Sequence, residues 1–245
     1  MDLGLAGKRA IVTGGTRGIG RRIVDLLVSE GCQVGFCARD QGQVDAALAD
    51  LAGGDVTVLG GAVDVTDDER LRGWIGETAT ALGGLDILVP NASALVGSAD
   101  AEAWRLGLEV DVLGTVRAVE AALPFLETSD AASIVAISST AAVNTSGGVR
   151  AYSGLKAALI SYMSGLSTNL GAKGIRANSV SPGAIYFEGG VWDKRKQESP
   201  EAYAAAARCP MGRLGTPEEV AAAVVFLESP AASYISGTNL IEVSS

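Results

Sequence analysis

The chain has 245 residues, a formal net charge of −9 and a sequence pI of about 4.6. That balance argues against a nucleic-acid partner, which needs a basic face, and no apolar run approaches the roughly 20 residues that span a bilayer. With no histidine in the chain, a Ser-His-Asp triad, a His-ligated zinc and a histidine general base are excluded together. Three cysteines, Cys32, Cys37 and Cys209, form neither a disulfide framework nor a metal spacing, so no metal site is expected. Asp2 comes early and Lys8-Arg9 lead directly into a strand, unlike a signal peptide. The expectation is a cytoplasmic protein with reduced, structural thiols. The length suits one α/β domain over residues 1–245, since such folds often reach this size as a unit.

In chain order, Arg9-Ala10-Ile11-Val12 predicts a buried strand. Gly14, Gly15, Gly18 and Gly20 crowd behind it, and Ile19, Ile23, Leu26 and Leu27 then recur at helical spacing. Strand, glycine turn and helix together make a phosphate site, because helix-terminal N–H groups and the helix dipole favour an anion there. Strands follow at 33–38, 56–63, 85–89, 133–137, 176–180 and 239–243, with helices at 44–51, 68–82, 104–126, 152–170 and 217–227 between them. Alternation of this kind predicts a doubly wound Rossmann-type fold, a parallel sheet of about seven strands with helices on both faces. Ligands then lie beyond the carboxyl ends of the strands. The stretch 184–212 lacks clear periodicity, and its length suggests a substrate lid.

The motif TGxxxGxG, here Thr13 to Gly20, is joined by Ser139 just past the fifth strand and by YxxxK as Tyr152 to Lys156. In this order and spacing the chain resembles the short-chain dehydrogenase/reductase family, over residues 8–243. Tyr152 and Lys156 are four apart on a helix and share one face. A free tyrosine, with a pKa near 10, is a poor base at neutral pH, and a lysine ammonium one turn away favours its phenolate. The resemblance implies an NAD(P)-dependent oxidoreductase that moves a hydride between cofactor and a ketone or secondary alcohol. Tyr152 would be the proton donor or acceptor, Ser139 the substrate-oxygen ligand and Lys156 a ribose ligand. It also implies cofactor contacts from Gly14, Thr16, Arg17, Gly18, Ile19, Gly20, Arg39, Asp64, Val65, Asn91, Tyr152, Lys156, Pro182, Gly183 and Ile185. The nearest family type is the 3-oxoacyl thioester reductases.

Cofactor choice turns on the end of the second strand. An NAD site puts a carboxylate there, whereas this chain has Arg39, with Arg17 inside the glycine loop. Two guanidinium groups suit a 2′-phosphate, so NADP is expected; Asp40 keeps NAD as the alternative. Four positions depart from the family pattern. The NNAG turn is Pro90-Asn91-Ala92-Ser93, the tetrad asparagine is Asp111, the threonine after Pro182-Gly183 is Phe187, and the C-terminal DGG is missing. Asp111 stays among the catalytic candidates, since it places a carboxylate near Lys156. These departures leave a second hypothesis, an NADP-binding sensor that turns over poorly. A nucleoside-diphosphate-sugar epimerase shares the motifs but adds a substrate domain for which the chain has no length. Tyr186, Phe187, Val191, Trp192, Tyr203 and Met211 suggest either an apolar pocket or lid packing. Apolar residues on several faces of 104–126 predict a homo-oligomer, a tetramer or dimer.

Overall fold

The computed structural model describes residues 2–144 and 148–242. Its centre is a seven-stranded sheet in the order β3-β2-β1-β4-β5-β6-β7, with every pairing parallel. The strands are β1 (Arg9–Thr13), β2 (Gln33–Ala38), β3 (Val58–Ala62), β4 (Ile87–Val89), β5 (Ser133–Ile137), β6 (Arg176–Ser181) and β7 (Asn239–Ile241). The strand order reverses between β1 and β4, and a crevice opens there at the carboxyl edge.

Strand periodicity sorts the core into two layers. Ala10, Val12, Ile87, Val89, Val135 and Ile137 point to one face, under α1 (Gly18–Ser29) and α9 (Pro217–Glu228). The residues between them, Ile11, Leu88, Ile134 and Ala136, point to the other face. There they meet α3 (Asp68–Ala81), α5 (Gly114–Leu126) and α6 (Ala151–Leu170). Both faces are therefore covered, as an all-parallel sheet requires. The fold class expected from the sequence is the one observed.

Several elements differ from the sequence expectation, β3 and β4 only by being shorter than 56–63 and 85–89. The helix expected from 104 begins earlier, as α4 (Ala101–Gly107), because Asp100 accepts a hydrogen bond from the Ala103 N–H and caps it. It continues into α5 through a π-helical turn, Leu108–Leu113. Apolar periodicity alone does not show such a turn, which adds a residue without breaking the helix. The stretch 184–212 carries α7 (Val191–Glu198) and α8 (Pro200–Ala206) rather than plain loop. Both are short and have no buried residue, so no apolar stripe announced them. The last strand is shorter than 239–243, and Val243 lies outside the described residues. The helix predicted at 44–51 is α2 (Gln41–Asp50), begun by the Asp40 cap.

Candidate active site

The glycine loop is fixed from two sides. Behind it, the N–H groups of Gly14 and Gly15 both donate to the Cys37 carbonyl. Burial pushes the Cys37 thiol up to about 12, so this cysteine is packing rather than chemistry. In front, the Asn91 amide donates to the carbonyls of Thr13 and Gly14 at 2.9 and 3.0 Å. Gly14 and Gly18 have φ of +69° and +54°, where a side chain is strained. A Cβ on Gly20 would stand 2.1 Å from the Gly14 carbonyl oxygen. The loop therefore needs glycine for its own closure. Arg17 is the N-cap of α1, with no side-chain cap bond and no acidic residue in the first turn. The helix start and its dipole thus face the crevice uncapped.

A cleft of about 440 Å³ runs beside this loop, lined by Arg17, Gly18, Tyr186, Phe187 and Thr216 among others. Arg17 and Arg39 are exposed, and among the described residues neither makes an ion pair. Asp40 is engaged differently: its carboxylate accepts from the Gln43 N–H and caps α2. Thr16 donates to Gln43 at 3.1 Å. Ile19 is half-buried against the α1–α9 core. Asp64 accepts from the N–H and hydroxyl of Thr66, and Val65 is buried against Gly114. The Pro182 carbonyl accepts from the Thr140 N–H, which ties the segment at Gly183 to the turn after β5. Ile185 bridges to Gly215. The Phe187 ring covers Gly18, 2.6 Å from where its Cβ would be.

Farther along the carboxyl edge, Ser139 follows β5, and α6, which carries Tyr152 and Lys156, packs against the turn that Ser139 starts. Two bonds lock strand to helix. Ser138 donates to the Lys156 carbonyl at 2.9 Å, and Lys156 Nζ donates to the Ile137 carbonyl at 2.9 Å. The Lys156 ammonium stands 5.6 Å from the Tyr152 ring centroid. Ser139 Oγ accepts from the Ala141 N–H at 3.2 Å, starting a short 3-10 turn.

Asp111 is where the fold adds most. The π-helical turn buries its carboxylate, which is 1% exposed, against Lys156 at 3.0 Å. Lys156 is 2% exposed. Ionised groups this deep persist only when paired, and removing one partner of such a pair typically costs about 3–5 kcal/mol. Ser93 and the Ala94 N–H also donate to this carboxylate. The sequence motifs assign no role to the side chains of Thr13, Ser93 and Ser138, yet each is a hydrogen-bond partner at the site. Thr13 sits inside the glycine motif and Ser93 at a departure from it, so the motif itself carried the signal.

The segment over the cleft is tied by polar contacts more than apolar ones. Tyr186 donates to Asp193 at 3.0 Å and meets the Tyr203 ring edge-on. The hydrogen bond to Asp193 raises the Tyr186 pKa, while the Gly189 N–H leads in lowering that of Asp193. Arg195 lies over Trp192, and Lys196 over Tyr186 and Tyr203. Val191 and Met211 are exposed. Among the described residues no metal-binding cluster occurs, and no helix is long and apolar enough to cross a membrane.

The family model described as enoyl-(acyl carrier protein) reductase matches residues 14–242. An isoepoxydon dehydrogenase from Penicillium expansum is 38% identical over 98% of this chain and 95% of its own length. The human dehydrogenase/reductase SDR family member 4 is 35% identical over 97% of this chain and 86% of its own. The structure of L-sorbose reductase from Gluconobacter frateurii, complexed with NADPH and L-sorbose, superposes with a TM-score of 0.89 at 30% identity, covering 99% of this chain and 97% of that one. This chain belongs to the short-chain dehydrogenase/reductase family of NAD(P)-dependent enzymes.

Proposed function

We propose that the protein transfers a hydride between NADP(H) and a ketone or secondary alcohol, with Tyr152 as proton donor and acceptor. The observation that carries this reading is the Lys156 ammonium, held on the Ile137 carbonyl within 5.6 Å of the Tyr152 ring. That bond fixes the donor groups of Lys156 one helical turn from the phenol, on the same face of the helix as Tyr152. Ser139, at the end of β5, hydrogen-bonds the substrate oxygen and keeps it within reach of the phenol. In reduction, Tyr152 gives its proton to the carbonyl oxygen; in oxidation, it takes the alcohol proton.

The glycine cradle closed by Gly20 and the uncapped start of α1 fit a dinucleotide's phosphates. Gly14, Gly18, Ile19, Asn91 and Pro182-Gly183 shape that cradle, and the bound nicotinamide supplies or accepts the hydride. Arg17 and Arg39 hold a 2′-phosphate, while Asp40 is occupied as the α2 cap, which favours NADP over NAD. The NADPH in the L-sorbose reductase complex supports the same choice. Matched relatives that are dehydrogenases and reductases favour turnover over a sensor.

For the substrate, the reading stays a carbonyl compound, with 3-oxoacyl thioesters as one class and polar hydroxyketones as the other. Residues 184–212 form the wall over it. The exposed apolar side chains of Trp104, Leu106 and Leu108 support a homo-oligomer, which size-exclusion chromatography tests. The functional test is NADPH oxidation with acetoacetyl-coenzyme A, L-sorbose and 2-hydroxycyclohexanone, by wild type and Tyr152→Phe. Turnover lost in the variant with NADPH binding kept supports the reading. NADPH binding with no turnover in wild type supports the sensor.

A further inference from the structure

Ser93 stands where the family pattern has glycine, and Asp111 where it has asparagine. The two departures meet. Ser93 Oγ donates to Asp111 Oδ1 at 2.5 Å, Lys156 Nζ reaches the same oxygen at 3.0 Å, and the Ala94 N–H donates to Oδ2 at 2.8 Å. Three donors converge on one side chain. An ionised carboxylate satisfies all of them, since it accepts on both oxygens and donates from neither. An asparagine cannot. Its NH₂ would face the Ala94 N–H in one orientation and the Lys156 ammonium in the other.

The Ser93 hydroxyl is itself directed. Its oxygen accepts from the Leu95 N–H at 3.2 Å, so its proton is left for Asp111. Leu95 holds a φ of +51°, a left-handed conformation uncommon for leucine. The loop after β4 thus aims Ser93 at the carboxylate. The ammonium has three N–H groups, and two are spent on Asp111 and the Ile137 carbonyl. The direction of the third is fixed as a result.

We propose that Ser93 is a positioning residue for Lys156, acting through Asp111, so that this chain replaces the family's glycine and asparagine with a coupled serine and aspartate. The inference rests on the reading of Tyr152 and Lys156 above. It says that the two departures are one device, in which the hydroxyl holds the carboxylate and the carboxylate holds the lysine.

The test is a double-mutant cycle on the full-length protein with Ser93→Ala, Asp111→Asn and both together, plus Ser93→Thr and Tyr152→Phe. Turnover of 2-hydroxycyclohexanone is normalised to NADPH-binding sites, and thermal unfolding without cofactor is read in parallel. Ser93→Ala is expected to lower kcat about tenfold and leave substrate KM within about twofold, and Ser93→Thr to restore kcat. In the Asp111→Asn background the Ser93→Ala effect should vanish in both readouts. A Ser93→Ala protein with wild-type kcat and melting temperature overturns the proposal, as does an effect that persists in full beside Asp111→Asn. If Asp111→Asn does not fold, the contrast of Ser93→Thr with Ser93→Ala decides. Turnover by Tyr152→Phe would instead sink the underlying mechanism. If the ketone is not turned over, the melting-temperature cycle decides alone, and additive effects there overturn the coupling.

Discussion

Asn91 donates two hydrogen bonds to Thr13: its side-chain amide to the Thr13 carbonyl at 2.9 Å, and its backbone N–H to the Thr13 hydroxyl at 3.0 Å. The end of β4 is thereby clamped to the end of β1, where the glycine loop begins. Asn91→Ala should cost about 1–3 kcal/mol of stability, since it leaves buried carbonyls unpaired. The loop should also loosen, weakening NADPH binding by about tenfold. Asn91→Asp should be at least as damaging, because an ionised carboxylate cannot donate to two carbonyls. Fluorescence titration of NADPH with thermal melts checks both, and wild-type affinity in Asn91→Ala would contradict the clamp.

The loop glycines are needed for different reasons, and that difference can be measured. In Gly20→Ala the new methyl meets the Gly14 carbonyl at 2.1 Å and Asn91 Nδ2 at 2.4 Å, which is the clamp itself. In Gly18→Ala it meets the Phe187 ring at 2.6 Å, and the φ of +54° adds strain of about 1–2 kcal/mol. Phe187→Thr should therefore recover part of the NADPH affinity lost in Gly18→Ala. The same change should recover none in Gly20→Ala. Equal rescue of both would show that Phe187 is not the obstacle at Gly18.

Much of this was legible because local signals agreed. Apolar runs bounded by glycine located the strands, and the motif spacing brought Ser139, Tyr152 and Lys156 to one edge of the sheet. Asp40 shows what was not legible. By position it could serve a ribose as well as a helix, and only the folded backbone, which brings the Gln43 N–H to it, assigns it to the cap. Ser93 and Asp111 are 18 residues apart, and nothing local links them. Their pairing depends on a π-helical turn that periodicity does not display. The helices at 191–206 bury no residue, so they lack the apolar stripe from which helices are recognised.

Cofactor preference should follow the two arginines and not Asp40. Removing both as Arg17→Ala/Arg39→Ala should lower kcat/KM for NADPH by at least about tenfold and leave that for NADH nearly unchanged, as loss of charge-assisted phosphate bonds predicts. Asp40→Ala should cost about 1 kcal/mol of stability through the lost cap, with no change in preference. Steady-state kinetics with both cofactors decides the matter. A wild-type enzyme that favours NADH would refute the arginine argument.

Far from the site, Glu228 makes stability depend on pH. It is 1% exposed, and neither carboxylate oxygen has a hydrogen-bond partner. The Ser133 hydroxyl and the Arg176 guanidinium lie near and only partly offset that burial, since Arg176 is spent on the carbonyls of Leu227, Glu228, Ser229 and Ile235. Burial pushes the Glu228 carboxyl up to about 8. The unfolded chain ionises this group near the ordinary glutamate value of about 4.3, whereas the folded protein keeps its proton until the higher value. Between the two the unfolded state binds fewer protons, so stability falls as pH rises. The contribution is complete below the unfolded value and is lost as pH climbs through the folded one; it is on the order of a few kcal/mol. Glu228→Gln cannot ionise and removes this slope. Thermal melts at pH 5 and pH 8 should show the variant gaining on wild type at the higher pH, and a difference that stays constant between the two would mean that Glu228 is already ionised in the folded protein.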